Sequence, residues 1–346
     1  MSERRAFLDR GIGEDRGVVL LNDQPERLLI VREGAVPQAQ VGARVAARVR
    51  KVELAFASAF MDLGGGHEAL LAFKLDNRPV EGAILDVEVR SEARDGKLAT
   101  VRSLGSGTGQ PRLLQPAPSL TEQLMSFSHQ TDVIEGPRAR RVADQAEAEA
   151  LESIHALPGG GSLAIEPTRA LVAIDVDLGE RKGQDAKRIT RQTNMTALTA
   201  AARLLRLKGL GGLVVIDLVG RGHDSTALLT AARAAFAADN PGVAIGPVGK
   251  FGTMELSIPR RGRAIREILL EAGGVPSYQT QAIRLVRSAE TAAIQDPGGR
   301  LEVSCGPEVA RLAGPLMDLL IAVVGARLTV RIEASWPRER YEVRSQ

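Results

Sequence analysis

The spacing of apolar and polar residues changes character several times along this chain, and each change predicts a different kind of element. Val18-Val-Leu-Leu and Leu28-Leu-Ile-Val flank Asn22-Asp-Gln-Pro25, two strands about a turn, so Gly17 to Val31 reads as a β-hairpin. From Val41 to Leu104 short runs alternate apolar and charged positions: Val41–Val49, Ala55–Leu63, Ala69–Phe73, Ala83–Val89 and Leu98–Leu104, with Gly64-Gly-Gly66 as a turn. Five short strands in so compact a stretch predict a small closed β-barrel of the OB type, a fold that often binds oligonucleotides. Ser106 to Ser119 is rich in Gly, Pro and Ser and reads as a linker. Arg138 to Ile154 has helical character and ends at Pro158-Gly-Gly-Gly161.

Beyond Ser162 the period shifts to continuous apolar runs. Ala170-Leu-Val-Ala-Ile-Asp175-Val-Asp177 and Gly211-Gly-Leu-Val-Val-Ile-Asp217 each place apolar residues before an acid, the pattern of a buried strand that delivers a carboxylate to the carboxyl edge of its sheet. Between them Asp185–Lys208 predicts a crossover helix with Ile189, Leu198, Ala201, Ala202 and Leu205 on one face. A second helix from Ser225 to Ala238 and strands Val243–Val248 and Thr253–Ile258 complete an α/β unit over Ser162 to Ile258. A basic connector, Pro259-Arg-Arg-Gly-Arg263, leads to an α-β-α-β pattern over Gln279–Ile294, Leu301–Cys305, Pro307–Val324 and Leu328–Ala334, a small terminal domain.

Ligands of open α/β sheets bind at the carboxyl edge. Two strands joined by one crossover would bring Asp175, Asp177 and Asp217 together there, and clustered carboxylates repel unless a proton or a cation lies among them. Mg²⁺ is the simplest such cation. The alternation of Asp175-Val-Asp177 puts both acids on one strand face. The bland reading is that these acids cap helices or start turns.

Composition narrows the setting. The 346 residues suffice for more than one domain, and 44% apolar content supports a folded core. Aromatics are only 3%, so aliphatic side chains must fill that core. A net charge of +3 permits a nucleic-acid partner without demanding one. Cys305 is the single cysteine, which excludes an intramolecular disulfide and a Cys-rich zinc site and makes a reducing cytosol the expected location. The charged N-terminus has no apolar signal core, and Leu316 to Val324 is too short to span a bilayer, so no membrane association is expected.

At this point the sequence resembles the ribonuclease E/G family. The resemblance runs from Leu157-Pro-Gly-Gly-Gly-Ser-Leu-Ala-Ile-Glu-Pro-Thr168 through the Asp175 strand and Thr193-Asn194. It continues through Leu205-Arg-Leu-Lys-Gly-Leu-Gly-Gly-Leu-Val-Val-Ile-Asp217 to Lys250-Phe-Gly-Thr-Met-Glu-Leu-Ser257. Ala59-Phe-Met-Asp-Leu-Gly64 is similar to the core of that family's S1-type barrel, and Gln279 to Val343 to its small C-terminal domain. The resemblance implies a mixed α/β, multidomain chain: an S1/OB-type β-barrel joined to a DNase I-like α/β catalytic domain and a small αβ C-terminal domain. The expected divisions are an N-terminal β-hairpin region packing on the core (1–37), the S1-like OB barrel (38–104), a linker with a reduced RNase H-like or sensor remnant (105–161), the catalytic domain (162–272) and the small domain (276–346). It also implies a Mg²⁺-dependent endoribonuclease that cuts single-stranded RNA to 5′-phosphate and 3′-hydroxyl ends. Asp175 and Asp217 would hold the metal, with Asp177 as a third catalytic position where the family usually has asparagine. The small domain would mediate a homo-oligomer.

The chain departs from the family pattern in three respects. Only Gly105 to Leu163 is available for the insert that senses the RNA 5′ end, so sensing is expected to be absent. The Cys-Pro-x-Cys zinc link has no counterpart, since Pro259-Arg-Arg-Gly-Arg263 stands near its place. Leu70 or Leu71 replaces the second stacking aromatic of the barrel, leaving Phe60, with Lys97 as the basic contact on the last strand. Further RNA contacts are expected from Lys250, beside the acids, and from Arg260 and Arg261, while Lys187, Arg188, Arg191, Arg203, Arg206 and Lys208 on the crossover helix read first as a solvated face. Polar neighbours Ser58 and Asp62 favour a surface position for Phe60 over a core one. The four histidines are scattered, and Cys305 reads as a buried strand residue. Two other functions stay open. One is a non-catalytic RNA-binding or ribosome-associated factor from the same family. The other is a phosphodiesterase acting on DNA or a small nucleotide.

Overall fold

The computed structural model describes residues 3–94, 96–180, 186–222 and 224–345. The chain opens with three antiparallel strands, β1 (Arg4–Asp9), β2 (Glu14–Leu21) and β3 (Gln24–Arg32). Asn22 and Asp23, both at positive φ, make a two-residue turn between β2 and β3, tighter than the four-residue turn read from the sequence. β1 lay hidden in what reads as a charged terminus.

The barrel follows: β4 (Arg44–Glu53), β5 (Ser58–Gly64), β6 (His67–Ala72), β7 (Ile84–Ser91) and β8 (Ala99–Ser106). β4 is long enough to pair with β7 through one half and β5 through the other, which closes the sheet on itself. Alternation then sends Val45, Val49, Met61, Leu63, Val87 and Val89 inward to a fully buried core. Gly64, Gly65 and Gly66 all adopt positive φ between β5 and β6, a turn that residues with a Cβ would enter only with strain. The segment read as a linker holds a further strand, β9 (Arg112–Gln115), which adds to the outer edge of β4.

Helix α1 (Leu120–Ser128) starts at a Ser119–Glu122 capping box, and β10 (Val133–Ile134) joins β1 in parallel. Helix α2 (Pro137–Leu151) leads to the α/β unit. That unit consists of β11 (Ile154–Ala156), β12 (Ser162–Pro167), β13 (Val172–Asp177), α3 (Ala186–Lys208), β14 (Gly212–Asp217), α4 (Ser225–Ala235), β15 (Ala244–Val248) and β16 (Thr253–Ile258). The sheet order is β11-β12-β13-β14-β16-β15, and β13 and β14 are its parallel pair. The expected first residue of the crossover helix, Asp185, lies outside the described residues.

α3 is buried over more than one stripe. Besides Leu198, Ala201, Ala202 and Leu205, its Thr193, Asn194, Leu204, Leu207 and Lys208 are inaccessible. One side packs on Ile174, Val176, Val214 and Ile216 of the sheet, and the same core takes in Leu28 of β3 and the alanines of α2. Its C-terminal cations are therefore structural, contrary to a solvated face. Arg203 donates to Glu149 and to the Pro25 carbonyl at 2.7 Å each. Arg206 donates to Asp239 at 2.7 Å and lies 3.2 Å from Glu26. Lys208 donates to the Glu149, Ala150 and Glu152 carbonyls at the end of α2, and burial pushes its ammonium down to about 8.

A one-turn helix α5 (Ile265–Leu269) precedes the terminal unit of α6 (Tyr278–Gln295), β17 (Leu301–Cys305), α7 (Pro307–Val324), β18 (Leu328–Ile332) and β19 (Tyr341–Ser345). β19, unforeseen in the sequence, pairs with β17, and Cys305 is buried in β17 as expected. A buried ionic cluster ties α6 to the start of the chain. Arg16 bonds Asp9 and Asp144 at 2.7 Å and Glu147 at 3.0 Å, Arg287 bonds Asp9, and Arg284 bonds Glu147 at 2.6 Å. Burial by itself would raise the Asp9 carboxyl, but Arg287, Arg16 and Arg140 outweigh it and hold Asp9 below its ordinary range. Arg284 and Arg16 do the same for buried Glu147.

Two consequences are measurable by urea unfolding. Asp9→Asn leaves buried guanidiniums underpaired and is expected to cost about 3–5 kcal/mol. Both carboxyls have folded pKa values below the unfolded ones near 4, so their stabilisation is complete above about pH 5 and is lost as pH falls through the folded values. Stability that stays level from pH 5 to pH 3 would contradict the cluster's role.

Candidate active site

Parallel pairing of β13 with β14 sets Val172 opposite Val214, Ile174 opposite Ile216 and Asp175 opposite Asp217. Alternation fixes the rest. Because Ile174, Val176, Val214 and Ile216 face α3, Asp175 and Asp217 stand side by side on the other face, both exposed. Neighbouring strands lie about 4.8 Å apart, so the two carboxylates can share one ion. Their flanking register partners are small: Ala164 beside Asp175 and Thr253 beside Asp217. Neither acid has an ion-pair partner among the described residues.

Asp177 is on the same face two positions further, opposite Ser162 rather than β14, which has already ended. Its Oδ1 accepts the Gly179 amide at 2.8 Å, an Asx turn at the strand end. Gly161 packs so closely there that a Cβ would lie 2.4 Å from the Asp177 carbonyl. Among the described residues no three His, Cys, Asp or Glu side chains form a metal-holding group. The arrangement is thus a two-carboxylate site. That donor set fits Mg²⁺, which usually takes one or two carboxylates and leaves its other positions to water and phosphate.

Two elements shape the edge around these acids. Leu218 donates its amide to the Gly252 carbonyl at 3.2 Å, while Val219 is clamped by Asn194, whose Nδ2 donates to the Val219 carbonyl (3.0 Å) and whose Oδ1 accepts its amide (3.1 Å). Asn194 is completely buried in α3 and fixes the backbone two residues after Asp217. The sequence marked it as part of the Thr193-Asn194 stretch of the family resemblance, without a role. The hairpin between β15 and β16 is closed by Gly249 N–H to the Thr253 carbonyl at 2.8 Å. Since Thr253 is the partner of Asp217, Lys250 and Phe251 project at the same edge. Lys250 Nζ lies 4.8 Å from the Phe251 ring, which is 80% exposed and was not singled out from the sequence. The exposed Arg191 pairs with Asp224 at 3.5 Å at the start of α4; His223 lies outside the described residues.

The other expected contacts are elsewhere. Phe60 is half-buried on the outside of the barrel between Leu70 and Lys51, the surface position its neighbours suggested. Lys97 is exposed on the turn before β8, bridged to Arg94. Arg260 and Arg261 do not join the acids. β16 runs antiparallel to β14, so Ile258 sits opposite Gly212 and the residues after it emerge at the far edge of the sheet. Arg260 there donates to the Gly211 carbonyl at 2.5 Å, and Arg261 to Pro241 at 3.4 Å.

Comparison with known proteins points to one family. Residues 115–261 match the Ribonuclease E/G family, a span that contains both acids, Asn194 and the Lys250 turn. The chain is 35% identical over 114 residues to Ribonuclease E of Escherichia coli, covering 32% of this chain and 11% of that protein. It is 34% identical over 122 residues to Putative ribonuclease E of Buchnera aphidicola subsp. Baizongia pistaciae, covering 34% and 30%. It is 26% identical over 208 residues to Ribonuclease G of Escherichia coli, covering 56% and 42%. The matches thus span less than half the length of these relatives.

Asn194 holds the backbone just after Asp217, at the edge that carries the two acids. Asn194→Ala should weaken Mn²⁺ binding at the two acids about tenfold, the loss of roughly one to two hydrogen bonds, as measured by titration calorimetry. Unchanged Mn²⁺ affinity with a lowered melting temperature would make its role purely structural.

Proposed function

This chain belongs to the ribonuclease E/G family, and from that premise we propose that it is a Mg²⁺-dependent endoribonuclease acting on single-stranded RNA. The observation that carries the proposal is the register match of Asp175 with Asp217, two exposed acids with no protein cation between them. Mg²⁺ held there would orient the scissile phosphate and offset the negative charge that builds on it. The residues of the chain supply the rest. Lys250 contributes a second positive charge to the phosphate, and the exposed Phe251 ring offers a face on which a neighbouring base stacks, a contact worth about 1–3 kcal/mol. The free oxygen of Asp177 accepts a proton of the attacking water and aims it at phosphorus. Attack forms the new P–O bond and breaks P–O3′, the departing 3′-oxygen takes a proton from solvent water, and the products are a 5′-phosphate and a 3′-hydroxyl. Phe60 and Lys97 on the barrel hold a more distant part of the strand, with Leu70 giving a weaker second platform.

The terminal unit leaves Leu319, Val323 and Ile332 48%, 80% and 60% exposed, beside an unpaired edge of β18. Apolar surface next to a free strand edge supports a homo-oligomer formed through this unit. No helix is long and apolar enough to cross a membrane among the described residues. The lone buried Cys305 suits the reducing cytosol proposed as the site of action.

A 5′-labelled, A/U-rich single-stranded RNA tests the reading. Internal cuts are expected with Mg²⁺ and none with EDTA, and Asp217→Asn should slow cutting at least about a hundredfold while RNA binding persists. The all-deoxy strand should be cut poorly. Tight binding without cuts under any divalent ion would assign the chain to non-catalytic RNA binding, and full activity of Asp217→Asn would remove the acids from the mechanism.

A further inference from the structure

A cleft of about 1110 Å³ opens at the amino edge of the α/β sheet, bounded by β3, α1, the approach to the barrel and the connector 259–263. It lies at the opposite end of β14 from Asp217, ~17 Å away for five steps at about 3.3 Å each. Its volume exceeds the ~300–1,000 Å³ of a small-molecule site.

Guanidinium groups gather in it. Arg27 stacks on Phe127 at 4.3 Å, and its closest acid, Asp239 at 3.7 Å, is already bonded to Arg206 at 2.7 Å. Arg261 and Arg263 are exposed in the cleft wall and bond backbone carbonyls, of Pro241 and Glu267, instead of carboxylates. Burial lowers the Arg27 pKa, Asp239 and Glu26 work against that, and Arg206 and Arg261 add to the lowering. Burial raises the Glu92 carboxyl and the nearby Arg263 charge offsets part of that rise, Glu122 closes the cap of α1, and Glu267 accepts the Ala264 amide at 3.1 Å. Of the other two lining acids, Asp239 pairs with Arg206 and Arg27, and Glu33 has no such side-chain bond among the described residues. Leu29, Ile30 and Phe127 give the cleft an apolar wall beside these cations.

We propose that this cleft is a further RNA-binding site, apart from the acid-bearing edge and the barrel face, in which Arg27, Arg261 and Arg263 hold backbone phosphates of a single strand while its bases lie against Phe127 and Leu29. Arg27 and Arg206 share the one carboxylate of Asp239, and the exposed Arg261 and Arg263 have no ion pair among the described residues, so the group as a whole has charge left for phosphate; the size of the cleft suits a chain segment better than one nucleotide. Glu92 also donates its amide to the Arg261 carbonyl at 3.1 Å, so barrel and connector form one continuous rim. The inference rests on RNA as the substrate, and its test reads binding alone, so that it stands or falls separately from cleavage.

The measurement is fluorescence anisotropy of a labelled 20-nucleotide single strand with the whole chain in the Asp217→Asn background, over a range of salt. Arg261→Gln/Arg263→Gln should raise the Kd about tenfold and make the slope of log K against log salt shallower by about 1.4, two phosphate contacts at ~0.7 each. Arg261→Lys/Arg263→Lys, which keeps both charges, should restore most of the slope. A Kd within twofold of the parent and an unchanged slope for the Gln pair overturn the proposal. Inorganic tripolyphosphate is the second arm: competition weaker than that of unlabelled RNA supports a polymer site, and competition as strong as RNA overturns it in favour of free polyphosphate.

Discussion

Burial of α3 on both sides is the constraint from which the rest of the molecule follows. A helix buried over one stripe can roll on its sheet. Here the sheet of the α/β unit takes one side, and β3 and α2 restrict the other, so its rotation and height are fixed. That fixes the crossover between β13 and β14, and with it the parallel register that puts Asp175 opposite Asp217. Asn194 carries the same constraint to the loop after Asp217, and Lys208 carries it to the end of α2. A slip of one residue in either strand would turn one acid into the core.

Charge is sorted to opposite ends of that sheet. The carboxyl edge has two exposed acids bordered by the elements of Lys250 and Arg191, whereas at the amino edge Arg27 and Arg206 share Asp239 and Arg261 and Arg263 bond backbone carbonyls. The buried cluster of Asp9, Arg16, Glu147 and Arg287 plays a different part. It joins the first strands, α2 and the terminal unit through ion pairs whose loss would leave a buried charge unpaired.

Legibility in the sequence followed how local each signal was. The strands ending in Asp175 and Asp217 are visible because a strand buried between neighbours reads as an unbroken apolar run, and the barrel because its strands alternate. β1 was missed since its charges find partners far away, Arg4 at Glu26 and Asp9 at Arg287. β9 is four exposed residues in a Pro- and Gly-rich stretch, with no pattern to show. Arg203 and Arg206 look solvated for the same reason as β1: Glu149 and Asp239 are tens of residues distant. The position of Arg260 and Arg261 was in fact implied, because an antiparallel return from Thr253 must leave the sheet at the edge away from Asp217. Phe251 sat in a turn already noted for its lysine, where an aromatic reads as neither core nor strand.

The most direct test of the central claim, that strand register builds a divalent-cation site from Asp175 and Asp217, is anomalous diffraction from a crystal of the chain equilibrated with Mn²⁺. A peak is expected between the two carboxylates, at about 2.0–2.3 Å from an oxygen of each, and absent in Asp175→Asn. No peak between them at saturating Mn²⁺, or one that survives that substitution unchanged, would contradict it.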